Sequence, residues 1–113
     1  MDAWVSQIRK GMGEVVILGM LARGEMYGSQ IVSALSDREG LAISAGTVYP
    51  LLSRLKKAGL IEAMWVESPV GPPRKYSSLT ESGTSELEQM ARAWREVARD
   101  VNGVLEGIFD GSS

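Results

Sequence analysis

The sequence predicts a mainly α, α+β fold, and three observations carry that prediction. Ser44 to Gly83 reads in order as a helix, a glycine stop, a strand, a proline-glycine turn, a second strand and a new helix start. Basic residues cluster at the end of that helix (Arg54, Lys56, Lys57) and just after the turn (Arg74, Lys75). From Leu87 to Ile108, apolar residues then recur in a heptad pattern. A helix followed by a two-stranded hairpin with a basic tip is the layout of a winged helix-turn-helix, here extended by a long C-terminal dimerisation helix.

The first helix is expected from about Asp2 or Ala3 to Ala22. Val5, Ile8, Met12, Val15, Val16, Gly19 and Met20 form its apolar side, and Gly11, Gly13 and Gly19 weaken it locally. Gly24 ends it, and a strand over Val15–Leu18 is the rival assignment. A second helix from Gly28 or Ser29 to Asp37 buries Ile31, Ala34 and Leu35. Leu41-Ala42-Ile43 is expected to be a short first strand of the hairpin sheet or an extended connection. Ser44 can cap the third helix, where Val48, Leu51, Leu52 and Leu55 fall at the i, i+3, i+4, i+7 spacing of one buried face. Gly59 supplies the left-handed residue that stops it. Ile61–Ser68 and Arg74–Leu79 are the strands on either side of Pro69-Val70-Gly71-Pro72-Pro73, and Thr80 opens the last helix.

That last helix, expected over Ser82–Phe109, carries Leu87, Met90, Trp94, Val97, Val101, Val104 and Ile108 at alternating spacings of three and four, with Ala91, Ala98 and Leu105 widening the stripe. At 1.5 Å per residue it would reach about 42 Å, longer than a domain of this size is wide. Its seam therefore calls for a partner helix, and a second copy related by a two-fold axis is the simplest supplier. The predicted organisation is a head over residues 1–79, a dimerisation helix over 80–109 and a frayed tail over 110–113.

Composition narrows the function. The 113 residues hold 12 Lys and Arg against 14 Asp and Glu. Residues 1–79 carry nine basic and seven acidic side chains, and residues 80–113 carry three and seven. This segregation fits a positively charged reader joined to an assembly element rather than a general polycation. With no Cys and no His, the commonest nucleophile, general base and zinc ligands are missing; no catalytic, cofactor or metal site is expected. No apolar run approaches the ~20 residues of a membrane span, and no signal peptide is evident, so a cytoplasmic protein is expected.

On the third helix, stepping 100° per residue from Val48 puts Gly46, Pro50, Ser53 and Lys57 on the opposite side, flanked by Thr47, Tyr49 and Arg54. This small, hydroxylated, basic face suits a helix pressed into the major groove of duplex DNA. The plain alternative is a solvated helix face. Pro50 argues against it, because a mid-helix proline costs roughly 3 kcal/mol without obvious packing gain. In the hairpin, prolines stiffen the tip while Arg74 and Lys75 reach phosphate or the minor groove; protection of a sheet edge is the alternative. The candidate DNA-binding residues are Ser44, Gly46, Thr47, Tyr49, Ser53, Arg54, Lys57, Arg74 and Lys75. Trp4, Trp65 and the six methionines are expected to fill core positions.

SAGTVYPLLSRLKKAGLIE followed by VGPPRKYSSLTESG resembles the signature of the PadR family of transcriptional regulators, and LARGEMYGSQIVSAL resembles the family's second-helix segment. The likeness covers roughly Val15 to Gly83. It implies a homodimeric, non-enzymatic, ligand-responsive repressor on a pseudo-palindromic operator. Ser77 and Ser78 depart from the family's more usual aromatic and basic residues. The dimer interface would comprise Leu87, Met90, Trp94, Val97, Val101, Val104, Leu105 and Ile108. Small family members also imply a seam pocket in which paired tryptophans sandwich planar hydrophobic or phenolic ligands. Here it would involve Glu14, Val15, Ala91, Trp94, Val97 and Ala98, although Ala98 stands where a cation-attracting acid would be. Trp94 as plain interface core is an equal reading. The rival from another class is a winged-helix protein-interaction or small-molecule-binding module without DNA binding; Arg54, Lys56 and Lys57 speak against it.

Overall fold

The computed structural model describes Ile8 and residues 11–109. Gly13–Leu21 forms α1, Met26–Tyr27 β1, Gly28–Ser36 α2, Ala45–Lys57 α3, Ile61–Val66 β2, Arg74–Leu79 β3 and Glu81–Leu105 α4, with a 3-10 turn at Glu39–Leu41. The start of the expected first helix, Trp4 and the 110–113 tail lie outside the described residues. The winged helix-turn-helix with its long C-terminal helix is present as predicted.

The core is aliphatic. Ile17, Leu18 and Leu21 of α1, Ile31 and Leu35 of α2, Val48, Leu51 and Leu55 of α3, and Ile61 of β2 are all buried together. On α2 and α3 these are the residues that helical spacing selects. On α1 they are not. The expected face of Met12, Val15, Val16, Gly19 and Met20 is only half-buried, while Ile17, Leu18 and Leu21 take the centre. GEVVILGML is apolar on every side, so periodicity gives α1 no preferred direction. The helix is also not continuous to its expected start. Gly11 sits at φ +85°, and α1 begins two residues later with Met12 at its N-cap.

β3 lies at the centre of a three-stranded antiparallel sheet in the order β1-β3-β2. The first strand is Met26–Tyr27 rather than Leu41-Ala42-Ile43. Leu41 ends the 3-10 turn, and Leu41 and Ile43 instead pack on the core. Ser77 opposes both Met26 and Ala63 at the buried centre of the sheet, where a small side chain fits. β2 stops at Val66, short of Ser68, because Ser68 turns: its hydroxyl donates to the Val70 carbonyl at 2.9 Å just before the proline-rich tip. Trp65 does not pack into the core. It is 67% exposed, opposite Lys75. Met64 is likewise exposed and fills no gap.

Two joints fix the frame. Gly59, at φ +78°, closes α3, and its carbonyl accepts from the Thr80 hydroxyl at 2.7 Å. The Thr80 amide donates to the Leu60 carbonyl at 3.1 Å, and Thr80 Oγ1 accepts from the Gly83 amide at 3.0 Å. Thr80 thus caps α4 and staples it to the end of α3. Ser44 occupies the N-cap of α3, but its side chain makes no capping bond; its carbonyl receives the Thr47 and Val48 amides, both at 2.9 Å.

α4 starts on the head and leaves it. Gly83 is buried, and Leu87 and Met90 pack against the chain's own core. From Trp94 onward its large apolar residues are exposed. The helix ends at Leu105 rather than Phe109, where Gly103 and Gly107 weaken it. The molecule measures 57 × 28 × 20 Å, and the 25-residue helix of about 37 Å accounts for the elongation.

Candidate nucleic-acid interface

With Val48, Leu51 and Leu55 turned inward, α3 presents Gly46, Thr47, Tyr49, Pro50, Ser53, Arg54 and Lys57 to solvent, continuous with exposed Ser44. All the expected third-helix residues therefore share one exposed side. Arg54, Lys56 and Lys57 also occupy the last turn of α3, where the carbonyl end of the helix favours positive charge.

Two contacts on this face were not legible in the sequence. The Tyr49 ring covers Gly28 so closely that a Cβ there would overlap the ring. Tyr49 thereby joins α3 to the start of α2. On the other flank, Arg54 meets Glu14 of α1 at 3.8 Å, both side chains being well exposed. Glu14 and Arg54 stand on the rim of an open groove of about 670 Å³ whose lining includes Gly13, Ile43, Gly46 and Pro50. Such an exposed pair is worth under about 1 kcal/mol, so a phosphate can take Arg54 from Glu14.

In the hairpin, Arg74 and Lys75 are both exposed, and Arg74 is in addition engaged with Tyr27. Arg74 Nη1 donates to the Tyr27 hydroxyl at 2.9 Å, with the guanidinium carbon 4.4 Å from the Tyr27 ring centre. Tyr76 meets Tyr27 edge-on at 5.3 Å. Tyr27 ends β1 and precedes α2, and its amide donates to Gln30 Oε1 at 3.3 Å. Tyr27 and Arg74 are 47 residues apart, and no local pattern could have paired them.

The expected effector residues do not form one pocket within a single chain. Glu14 lies beside Arg54, while Trp94 and Ala98 line a shallow depression on α4 with Asn102, Gly103 and Leu105. Val15 and Ala91 are half-buried and Val97 is exposed. Among the described residues no His, Cys, Asp or Glu cluster is placed to hold a metal, and no helix is long and apolar enough to cross a membrane.

Comparison with known proteins places this geometry among relatives. The family model described as "Transcriptional regulator PadR-like family" matches residues 17–89. Transcriptional regulator Rv3488 of Mycobacterium tuberculosis is 37% identical over 89 residues, covering 77% of this chain and 79% of the relative. A PadR family transcriptional regulator from Eggerthella lenta superposes with a TM-score of 0.81 at 32% identity, over 94% of this chain and 92% of that one. Bacillus subtilis PadR, solved in complex with operator DNA, gives 0.67 at 27% identity, over 73% of this chain and 46% of that one.

Proposed function

This chain belongs to the PadR-like family of transcriptional regulators, and from that premise we propose that it works as a homodimeric repressor on a pseudo-palindromic operator. The observation that carries the reading is the single exposed face of α3, small at Gly46, hydroxylated at Ser44, Thr47 and Ser53 and basic at Arg54 and Lys57, with exposed Lys75 on the adjoining hairpin. The likeness to a PadR solved on its operator supports it. Two copies of α3 enter successive major grooves about one helical turn apart, and the wings add phosphate or minor-groove contacts. Contact with chromosomal DNA implies a cytoplasmic location.

The second copy docks along α4. A planar hydrophobic or phenolic effector entering between the two Trp94 rings, near Val97 and Ala98, changes the angle between the heads and so the fit to the half-site spacing. Glu14 and Val15 would reach such a site from α1 of either subunit.

Salt titration tests the DNA interface. The triple substitution R54A/K57A/K75A should weaken binding on every duplex and flatten the dependence of log K on log salt by about five units, roughly 0.9 for each phosphate that the two subunits no longer neutralise. Changes at Thr47 or Tyr49 should instead alter which sequence is preferred in a selection from random duplexes. A folded triple variant with the parent's affinity and slope would rule the mode out.

A further inference from the structure

The two cations that follow the wing's tip have different jobs. We propose that Arg74 is a positioning residue that locks the wing to the helix-turn-helix, and that Lys75 alone carries the wing's phosphate contact. The inference deepens the DNA-binding reading and rests on it.

The need for such a lock comes from the sheet. β1 is two residues long and pairs with β3 only through Met26–Ser77 and Tyr27–Tyr76. So short a strand holds the outer hairpin weakly; Thr80, Ile61 and Leu79 fix its base, and side chains nearer the tip must add to that hold. Tyr27, Tyr76 and Arg74 are those side chains. Tyr27 and Tyr76 are paired across the strands and meet edge-on, at an interplanar angle of 79°. Arg74 closes the stack from above Tyr27 while bonding its hydroxyl. Because Tyr27 also precedes the first turn of α2, the stack runs from the wing strand into the helix-turn-helix.

Arg74 is held differently from Arg54. A single 3.8 Å ion pair in solvent yields readily to phosphate. Arg74 is held twice, by a 2.9 Å bond and by the ring face at 4.4 Å, and leaving would forfeit both. Lys75 points to the opposite side of β3, next to exposed Trp65 on β2, with no ion pair among the described residues. It is free to meet DNA.

The test uses the full-length dimer, a duplex selected from random DNA and an unrelated duplex. R74A should lose about tenfold in affinity for the selected duplex and far less on the unrelated one, with an unchanged salt slope. K75A should weaken binding to both and flatten the slope by about two units, one for each wing of the dimer. Y27F, which removes only the hydroxyl acceptor, should reproduce part of the R74A loss, and the double variant should lose less than the two single losses combined. An R74A slope flattened by about two units, one per wing, with equal losses on both duplexes and no effect of Y27F, would overturn the proposal and make Arg74 a phosphate contact. Should R74A not fold, Y27F with K75A still decides: a Y27F affinity identical to the parent's on the selected duplex also overturns it. A parent protein that binds neither duplex would instead remove the DNA-binding reading itself.

Discussion

At the scale of single residues, the Leu79-Thr80-Glu81-Ser82-Gly83 run shows how a short motif becomes geometry. Thr80 bonds at once to the end of α3 and to the first turn of α4. Gly83 lets α4 pass over the Leu60 carbonyl, where a Cβ would strike backbone oxygen. Backbone cannot rotate away as a side chain would. Gly83→Ala is therefore expected to destabilise the fold by roughly 1–3 kcal/mol or more, read from chemical denaturation. Gly28→Ala makes the contrast, since the nearest atoms its Cβ would meet belong to the Tyr49 side chain, which can swing out. A G83A variant as stable as G28A would contradict this account of the motif. The helix start at Thr80 was legible because capping is local. The oxygen facing Gly83 was not, because it comes from the residue after Gly59, brought there by the turn.

At the scale of elements, legibility followed amphipathicity and local signals. α3 was readable because Val48, Leu51 and Leu55 contrast with Gly46, Ser53 and Lys57 around the helix. The first residue of β2, all of β3 and the start of α4 were readable from Gly59, the proline tip and Thr80. α1 lacks such contrast, so its core face went to Ile17, Leu18 and Leu21 instead of the expected set. β1 is too short to leave a pattern, and its pairing with β3 depends on residues about fifty positions away. Trp65 lies on the core side of the hairpin, yet past the core's edge; alternation reveals the side and not the distance. Pro50 offers an element-scale test. It sits exposed inside α3, where the Gly46 carbonyl loses its i+4 donor. Pro50→Ala should stabilise the protein by roughly 1–3 kcal/mol in thermal or chemical unfolding while changing operator selectivity. No gain in stability would mean that the ring makes a compensating contact.

At the scale of the whole molecule, the decisive feature is a helix that outruns its own head. Leu87 and Met90 are spent on the core, but Trp94, Val97, Val101, Val104 and Leu105 continue the same stripe into solvent, Trp94 47% and Val104 75% exposed, while the expected Ile108 falls past the end of the helix. An apolar seam of this length on a 12.2 kDa chain invites association, and the heptad spacing matches a partner helix. On the homodimer reading a second copy would supply an identical seam, to which α1 would add half-buried Val15, which does not belong to the core cluster. Charge placed on the stripe should act only if the stripe is covered. Val101→Asp and Leu105→Asp would each bring carboxylates into the seam, near their counterparts across a two-fold axis, where they find neither water nor partner. Each should raise the dimer dissociation constant by more than about a hundredfold in sedimentation. Glu96→Ala, on the opposite side of α4, should leave it unchanged. Because the core residues belong to the head, V101D and L105D should keep the helical and sheet signals of the folded head while losing operator binding. That separation distinguishes a lost interface from a lost fold. Unchanged dimers in both variants would show that the second copy docks elsewhere and that this seam serves another partner.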